Sequence, residues 1–473
     1  MSAPIAFGTD GWRAIIGEDF TFANVRICAQ GVADYLTGAG LAERGVVVGY
    51  DTRFASEDFA AAVAEVMAGN RIPVFLCDRL APTPVVGYAI LNREAGGSVV
   101  ITASHNPRQW SGFKFRPEYA GSAPPEVLEQ IERNILALGS RAPKRLLLAE
   151  AVDQGLLRTF DPRPAYWEQI EKLIDLGALR AAGLNVVIDS MHGAAAGYIR
   201  HFISGGKTTV RELRASRNPL FPNMDNPEPI ARNLRPLMAA VRRGQADIGV
   251  ATDGDGDRLG VIDETGKFVT ALEVFALLTY YLLEIRGLRG PIVKSVTTTD
   301  MVRLLGQRYG VPVYETKVGF KHLGPLMAKT EALVAGEESG GYGFRGHLPE
   351  RDGILSALYM LDLMARTGRK ISELLEDVFR LVGRHYYERL DIHLAPGDKD
   401  SLLPLVQSLH PQEIAGSSVL AMDSTDGFRY QLKDGWTLIR FSGTEPLLRI
   451  YAEVRKAGLV SQVLAECRSL LGV

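Results

Sequence analysis

The sequence predicts an α/β chain of three or four domains whose last segment has a different, α+β, texture. Three observations carry this. The 473 residues exceed what one hydrophobic core organises, since domains run to about 100–200 residues. Short β-branched runs alternate with helix-like stretches, the pattern of α/β units stacked on largely parallel sheets. From Tyr386 onward, the turn dipeptides Asp426-Gly427 and Asp434-Gly435 sit among alternating strands at 437–441 and 448–454, ahead of a helix-like segment at 459–471.

Taken in order, Val46-Val47-Val48 leads into Gly49-Tyr50-Asp51-Thr52-Arg53, and Val186-Val187-Ile188 leads into Asp189-Ser190. Ile292-Val293 leads through Lys294-Ser295 into Thr297-Thr298-Thr299-Asp300. Helix-like stretches at 59–67, 194–203 and 301–309 lie between. A second series accompanies the first. The strand at 98–102 opens into Ala103-Ser104-His105-Asn106-Pro107, and that at 247–252 into Asp253-Gly254-Asp255-Gly256-Asp257-Arg258. Leu333-Val334-Ala335 opens into Gly336-Glu337-Glu338-Ser339-Gly340-Gly341. Ligands collect beyond the carboxyl ends of strands in such sheets, so the three loops are expected to face one cleft. Residues 139–163, with Ala142-Pro143-Lys144-Arg145 and Asp161-Pro162-Arg163-Pro164, read as a linker.

Composition is that of an ordinary soluble protein, with 46% apolar and 23% charged residues. A net charge of −2 provides no global field for nucleic acid or an anionic membrane, so an anionic substrate needs a local Lys/Arg cluster. Cys28, Cys77 and Cys467 are far apart, odd in number and set among apolar neighbours. They read as reduced core residues of a cytosolic protein. The N-terminus lacks the basic and apolar regions of a signal peptide. The longest apolar stretch, 274–283, ends at Glu284, far short of the roughly 20 residues that span a bilayer. The expectation is a cytoplasmic protein with no nucleic-acid or membrane partner.

The D-G-D-G-D-R loop is the strongest chemical signal. Carboxylates at Asp253, Asp255 and Asp257 repel one another unless a cation lies between them. An all-oxygen set suits a hard ion such as Mg²⁺ or Mn²⁺. The glycines allow a tight enough fold for the side chains to converge. An EF-hand is rejected although Glu264 falls at the twelfth position: Arg258 stands where that loop needs glycine, and both flanks read as strands. A solvated acidic turn is the plainer alternative. Ser104 alone is an ordinary loop serine. Near a cation and Lys114, its hydroxyl becomes a candidate phosphoryl carrier, and phosphoserine adds about −1.5 to −2 charge. Arg440-Phe441-Ser442-Gly443-Thr444-Glu445-Pro446 joins a guanidinium fork to hydroxyl and amide donors, a phosphate cradle or a plain hairpin connection. Gly8-Thr9-Asp10-Gly11-Trp12-Arg13 is a turn whose Arg13 can meet a phosphate.

Together these residues resemble the α-D-phosphohexomutase family along essentially the whole chain. T-A-S-H-N-P resembles its phosphoserine loop, D-G-D-G-D-R its metal loop, G-E-E-S-G-G its sugar-binding loop and R-F-S-G-T-E-P its phosphate-binding loop, in the family's order. The resemblance implies four domains around a central cleft, three α/β and a smaller, mobile C-terminal α+β domain. Their expected spans are 1–158, 159–262, 263–382 and 383–473. It implies that Ser104 holds a phosphoryl group and binds Mg²⁺ together with Asp253, Asp255 and Asp257. Lys114 would assist proton transfer, with Arg13 and Arg258 close to the reacting phosphate; His105, beside Ser104, is a catalytic candidate on its own residues, with a hydrogen-bonding loop residue as the plainer alternative. Glu337 and Ser339 would grip sugar hydroxyls. Arg440, Ser442, Gly443 and Thr444 would hold the non-reacting phosphate. The implied reaction interconverts hexose 1- and 6-phosphates through a hexose 1,6-bisphosphate, with glucose 1,6-bisphosphate as activator, in a monomer or homodimer.

Val318-Gly319-Phe320-Lys321 is similar to the G-W-K loop of glucose-type members, placing Lys321 on the substrate phosphate, with a solvated lysine as the alternative. His347-Leu348-Pro349-Glu350-Arg351-Asp352-Gly353 is also similar to the glucose-type sequence, which adds His347 to the substrate candidates. R-F-S-G-T-E-P is nearer the bacterial phosphomannomutase form. Glucose therefore leads, with mannose or dual specificity second, then a sugar-phosphate phosphatase, a bisphosphate synthase or a sensor.

Overall fold

The computed structural model describes residues 5–8, 11–395, 397–442 and 446–472. The first three units repeat one pattern. In the first, Val46–Tyr50 pairs in parallel with Val74–Cys77 on one side and Gly97–Ile101 on the other, and Gly97–Ile101 then pairs antiparallel with Trp110–Pro117. In the second, Asn185–Asp189 lies between Thr209–Leu213 and Ile248–Thr252, with Leu259–Ile262 antiparallel to the last. In the third, Ile292–Ser295 lies between Val313–Thr316 and Val334–Gly336, with Tyr342–Phe344 antiparallel beside it. The central strands are near-continuous apolar runs because helices cover both faces. Each distinctive loop therefore occupies the same place: it joins the third strand of the pattern to its antiparallel mate.

The fourth unit is an antiparallel sheet of Glu413–Ile414, Ser417–Asp423, Phe428–Leu432, Gly435–Phe441, Leu447–Val454 and Tyr386–His393. Helix Leu459–Leu471 covers one face through Val460, Val463, Leu464 and Cys467. This is the expected α+β architecture.

Two expected borders shift. Leu157–Phe160 is the edge strand of the first sheet, paired with Val74–Cys77, so that unit runs past 158. Phe268–Val269 pairs with Leu259–Ile262, so the second unit runs past 262. The expected linker is only partly one, because it also forms helix Leu148–Asp153, whose Ala151 is buried in the first core. The apolar stretch near 274–283 is a core helix, Ala271–Tyr280, opened by a capping box. Thr270 Oγ1 accepts from Glu273 N at 3.2 Å, and the Glu273 carboxylate accepts from Thr270 N at 2.8 Å. Among the described residues no helix is long and apolar enough to cross a membrane. All three cysteines are buried and free.

One apolar cluster runs continuously through the first three units, from Val47 and Val86 through Ile188 and Phe202 to Leu358 and Val378. The fourth unit has its own core. It meets the third through a small patch of Val296, Trp436, Leu438 and Tyr451.

Candidate active site

A buried arginine builds the loop that carries Ser104. Asp51, just beyond its strand, accepts from Arg53 N at 2.9 Å, Ser56 Oγ at 3.0 Å and Thr102 Oγ1 at 2.6 Å. Arg53, with no exposed surface, donates to the carbonyls of Ser104 and Asn106, both at 2.7 Å, and to those of Trp110 at 2.9 Å and Pro107 at 3.0 Å. The guanidinium thus satisfies a turn of carbonyls that would otherwise be buried without donors. Within this turn Ser104 takes φ +50°, a left-handed conformation that costs a non-glycine residue about 1–3 kcal/mol and persists only where its surroundings hold it.

That strain aims the Ser104 hydroxyl at the acidic loop. Ser104 Oγ donates to Asp253 Oδ2 at 2.9 Å and lies 3.3 Å from His105 Nδ1. Asp253 Oδ1 accepts from Asp257 N at 3.0 Å and Arg258 N at 3.2 Å, which curls the loop on itself. Asp253, Asp255 and Asp257 have no exposed surface, and each offers an oxygen within 4.8 Å of the others. The Asp255 carboxylate accepts from Thr83 Oγ1 at 2.7 Å and pairs with Lys114 Nζ at 2.9 Å. Asp255 Oδ1 and Asp257 Oδ1 are buried without a hydrogen bond, and Asp257 Oδ2 has only ion pairs, to Arg351 at 3.1 Å and Lys114 at 3.9 Å. A cluster of buried oxygens with unmet acceptor capacity fits a hard divalent cation.

The electrostatics agree. Burial, then the neighbouring Asp255 and Asp257, push the Asp253 carboxyl well above the usual range, and burial raises Asp257 too. Burial acts on Asp255 in the same direction, but the Lys114 ammonium and Thr83 hydroxyl outweigh it and hold that group well below the usual range. Three carboxylates are therefore crowded where only part of their charge is compensated, which a cation relieves. Burial, then the Arg258 and Arg13 cations, depress the His105 imidazole and favour its neutral ring. Arg13 reaches the same loop by donating to Asn106 Oδ1. Arg258 donates to Glu228 Oε1 at 2.8 Å at the mouth of the acidic loop.

Arg351 joins this cluster to the third loop. Its guanidinium lies 3.1 Å from Asp257 Oδ2, 3.5 Å from Glu337 Oε2 and 3.1 Å from Glu350 Oε1. Glu350 accepts in turn from Arg116 of the first unit at 2.6 Å. Leu259 N donates to Gly340 O at 2.9 Å, so the second and third loops also touch through the backbone. Glu337 is buried, which raises its carboxyl, and its Oε1 accepts from Gly319 N at 2.9 Å. Ser339 Oγ is buried without a partner. Lys321 stands in the first turn of helix Phe320–Thr330, two residues beyond that amide.

From the fourth unit, Arg440 Nε pairs with Asp426 Oδ2 at 3.0 Å, and Ser442 N donates to Leu447 O at 2.8 Å. Gly443 and Thr444 lie outside the described residues. His347 is not at the cleft. Its ring has no exposed side-chain surface, bonds Asp352 Oδ2 through Nε2 at 2.8 Å and stacks on Tyr88. It thereby packs at the junction between the first and third units.

Four family models match in chain order: the phosphoglucomutase/phosphomannomutase domains I, II and III over residues 4–142, 164–266 and 272–382, and the C-terminal domain over 405–470. A phosphoglucomutase/phosphomannomutase of Thermococcus kodakarensis is 30% identical over 95% of this chain and 94% of its own. A phosphoglucosamine mutase of Carboxydothermus hydrogenoformans is 30% identical over 97% of each. The crystal structure of a protein provisionally called a phosphomannomutase, from Thermus thermophilus, superposes with a TM-score of 0.86 at 35% identity over the full length of both chains.

Proposed function

The chain belongs to the phosphoglucomutase/phosphomannomutase family of phosphoryl-transferring enzymes, and from that premise we propose that it interconverts hexose 1-phosphate and hexose 6-phosphate through a phosphoryl group carried on Ser104, with glucose preferred. The observation that carries this reading is the Ser104 hydroxyl, strained toward and hydrogen-bonded to a buried carboxylate cluster that Lys114, Arg258 and Arg351 flank.

In the forward direction the free hydroxyl of a hexose monophosphate attacks the phosphorus on Ser104. The serine O–P bond breaks as the new O–P bond forms, and the hydroxyl proton passes to a base. That exchange is assigned to Lys114, 2.9 Å from the Asp255 carboxylate: it takes the hydroxyl proton as one of its own passes to Asp255. The hexose 1,6-bisphosphate then turns end for end, and its other phosphoryl group returns to Ser104. Phosphoryl transfer depends chiefly on positioning and charge neutralisation. Arg13, Arg258 and Arg351 supply fixed positive charge around Ser104. Asp253, Asp255, Asp257 and the Ser104 oxygen would hold Mg²⁺, which would supply further charge neutralisation. Glu337 and Ser339 accept and donate to sugar hydroxyls, while Arg440, Ser442 and Lys321 hold the idle phosphate.

The glucose preference rests on the Val318–Lys321 loop, which resembles that of glucose-type members; the relatives span phosphoglucomutase, phosphomannomutase and phosphoglucosamine mutase by name. A coupled assay with Mg²⁺ and a catalytic amount of glucose 1,6-bisphosphate tests the reading across glucose, mannose and glucosamine phosphates. Glucose 1-phosphate is expected to give the highest kcat/KM. Faster turnover of another sugar overturns the preference. Phosphate release without isomerisation, or no turnover of any of the three, overturns the mutase reading.

A further inference from the structure

Asp426 occupies the hairpin turn between the strands Ser417–Asp423 and Phe428–Leu432 of the fourth unit, and the mechanism above gives it no task. Its Oδ2 makes two contacts, one of them across a domain boundary. It lies 3.0 Å from Arg440 Nε within its own unit and accepts from Val318 N of the third unit at 2.9 Å. The next amide along, Gly319 N, donates to Glu337 Oε1 at 2.9 Å. Two consecutive backbone donors therefore engage two carboxylates, one beside the candidate phosphate-binding arginine and one in the candidate sugar-binding loop. Lys321 follows two residues later, in the first turn of its helix.

This geometry orients Arg440. The Asp426 carboxylate lies within ion-pair distance of Nε without hydrogen-bonding it, so charge attraction holds the guanidinium beside the turn, and arginine's terminal nitrogens offer a phosphate a bidentate grip. The turn is pressed closely against that arginine. A Cβ built on Gly427, at φ +98°, falls 2.6 Å from Ile439 O and 3.0 Å from Arg440 Cβ, so the hairpin cannot drift without moving Arg440. Across the sheet, Arg440 stands directly opposite Arg449 on the neighbouring strand. Like charges so placed repel; Asp426 beside Arg440 and Asp391, 3.9 Å from Arg449, each offset part of that repulsion.

We infer that Asp426 is a positioning residue for the idle phosphate of the hexose phosphate: it aligns Arg440 and sets the spacing between that arginine and the Val318–Lys321 and Glu337 loops. The inference rests on the mutase reading of the site. A hexose phosphate is gripped at both its hydroxyls and its phosphate, so a fixed spacing between these grips selects for the length of the molecule. Loss of the carboxylate charge weakens the grip on the phosphate and leaves the Ser104 centre intact.

The test is a double-mutant cycle with glucose 1-phosphate, Mg²⁺ and glucose 1,6-bisphosphate. Asp426→Asn keeps an oxygen for Val318 N–H but withdraws the charge from Arg440. It is expected to raise KM about tenfold, the equivalent of one charge-assisted contact, with kcat changed by less than about threefold. Arg440→Ala is expected to raise KM further, and adding Asp426→Asn to it should change KM by less than about twofold, because the aspartate acts through the arginine. Asp426→Glu, which keeps the charge but cannot reach both partners from the same backbone position, should show the same dependence on Arg440. Effects that multiply independently in the double variant overturn the inference while the mutase reading stands. A parent enzyme that turns over none of the hexose phosphates removes both. A common loss in which kcat falls as much as KM rises assigns Asp426 to folding and also overturns it.

Discussion

Ser104 combines three properties that a hydroxyl on a simple turn does not need: a left-handed backbone, burial, and a carboxylate partner 149 positions away at Asp253. Replacing it with alanine keeps the turn, since Arg53 bonds only the carbonyl of this residue, and removes the oxygen proposed to carry the phosphoryl group. Ser104→Ala is expected to lower kcat by about 10³-fold or more while hexose phosphate affinity, measured by calorimetric titration, changes by less than about tenfold. Turnover within tenfold of the parent would remove Ser104 from its role. The residues proposed for the chemistry stood out because oxygen-rich, glycine-punctuated loops are unusual in sequence. Those that hold them did not. Thr83 meets Asp255 across 172 positions, and Arg351 in H-L-P-E-R-D-G is a lone arginine until the fold brings it beside both Asp257 and Glu337. Its nearness to a glutamate-serine loop is the one local signal that marks it.

At the scale of elements, the three-loop series was readable because the strands before the loops are fully buried, β-branched runs such as Gly97–Ile101 and Ile248–Thr252. The edge strands were not. Leu157–Phe160 has two exposed residues of four, and Phe268–Val269 is two residues long, so neither carries enough pattern to mark a border. The fit between loops rests on glycine. A Cβ on Gly254 would sit 2.5 Å from the backbone oxygen of Ser104, closer than real contacts allow, and a carbonyl anchored by Arg53 has little freedom to retreat. Gly254→Ala therefore pushes the acidic loop away from Ser104 without adding or removing a charge. The expected result is a kcat at least about tenfold lower, since misplacing reacting groups by about 1 Å costs on the order of 10²-fold, with circular dichroism unchanged. A variant of parental activity would show that the two loops need not approach so closely.

Over the whole molecule, three units share a continuous apolar core, whereas the fourth stands on its own core and docks through few apolar side chains and many charges. Such an interface suits a domain that has to open and close around a substrate, because a predominantly polar contact exchanges with water at less cost than a hydrophobic one. The four-domain plan was legible from loop order and from the change of texture at Tyr386; the docking network was not, because its members come from segments far apart in the sequence. Asp300 is its centre. The carboxylate lies 3.2 Å from Arg429 of the fourth unit, 3.1 Å from Arg303 and 3.5 Å from the fully buried Lys294, while its own N–H donates to Glu453 at 2.8 Å. Burial acts to raise this carboxyl, but Lys294, Arg429 and Arg303 outweigh it and hold it well below the usual range. A depressed carboxyl stabilises the folded form in full above its unfolded value of about 3.9, and the contribution falls away as pH drops through the folded value. Asp300→Asn should therefore lower stability at pH ~7 by about 3 kcal/mol, the scale for a broken buried pair, and the difference from the parent should shrink as the pH is taken below about 4. Urea unfolding followed by tryptophan fluorescence reads this, since Trp436 is buried in the docking face and donates to the same Glu453 at 2.9 Å. A penalty that is equal at both pH values would mean that the charge on Asp300 is not what holds the fourth unit in place.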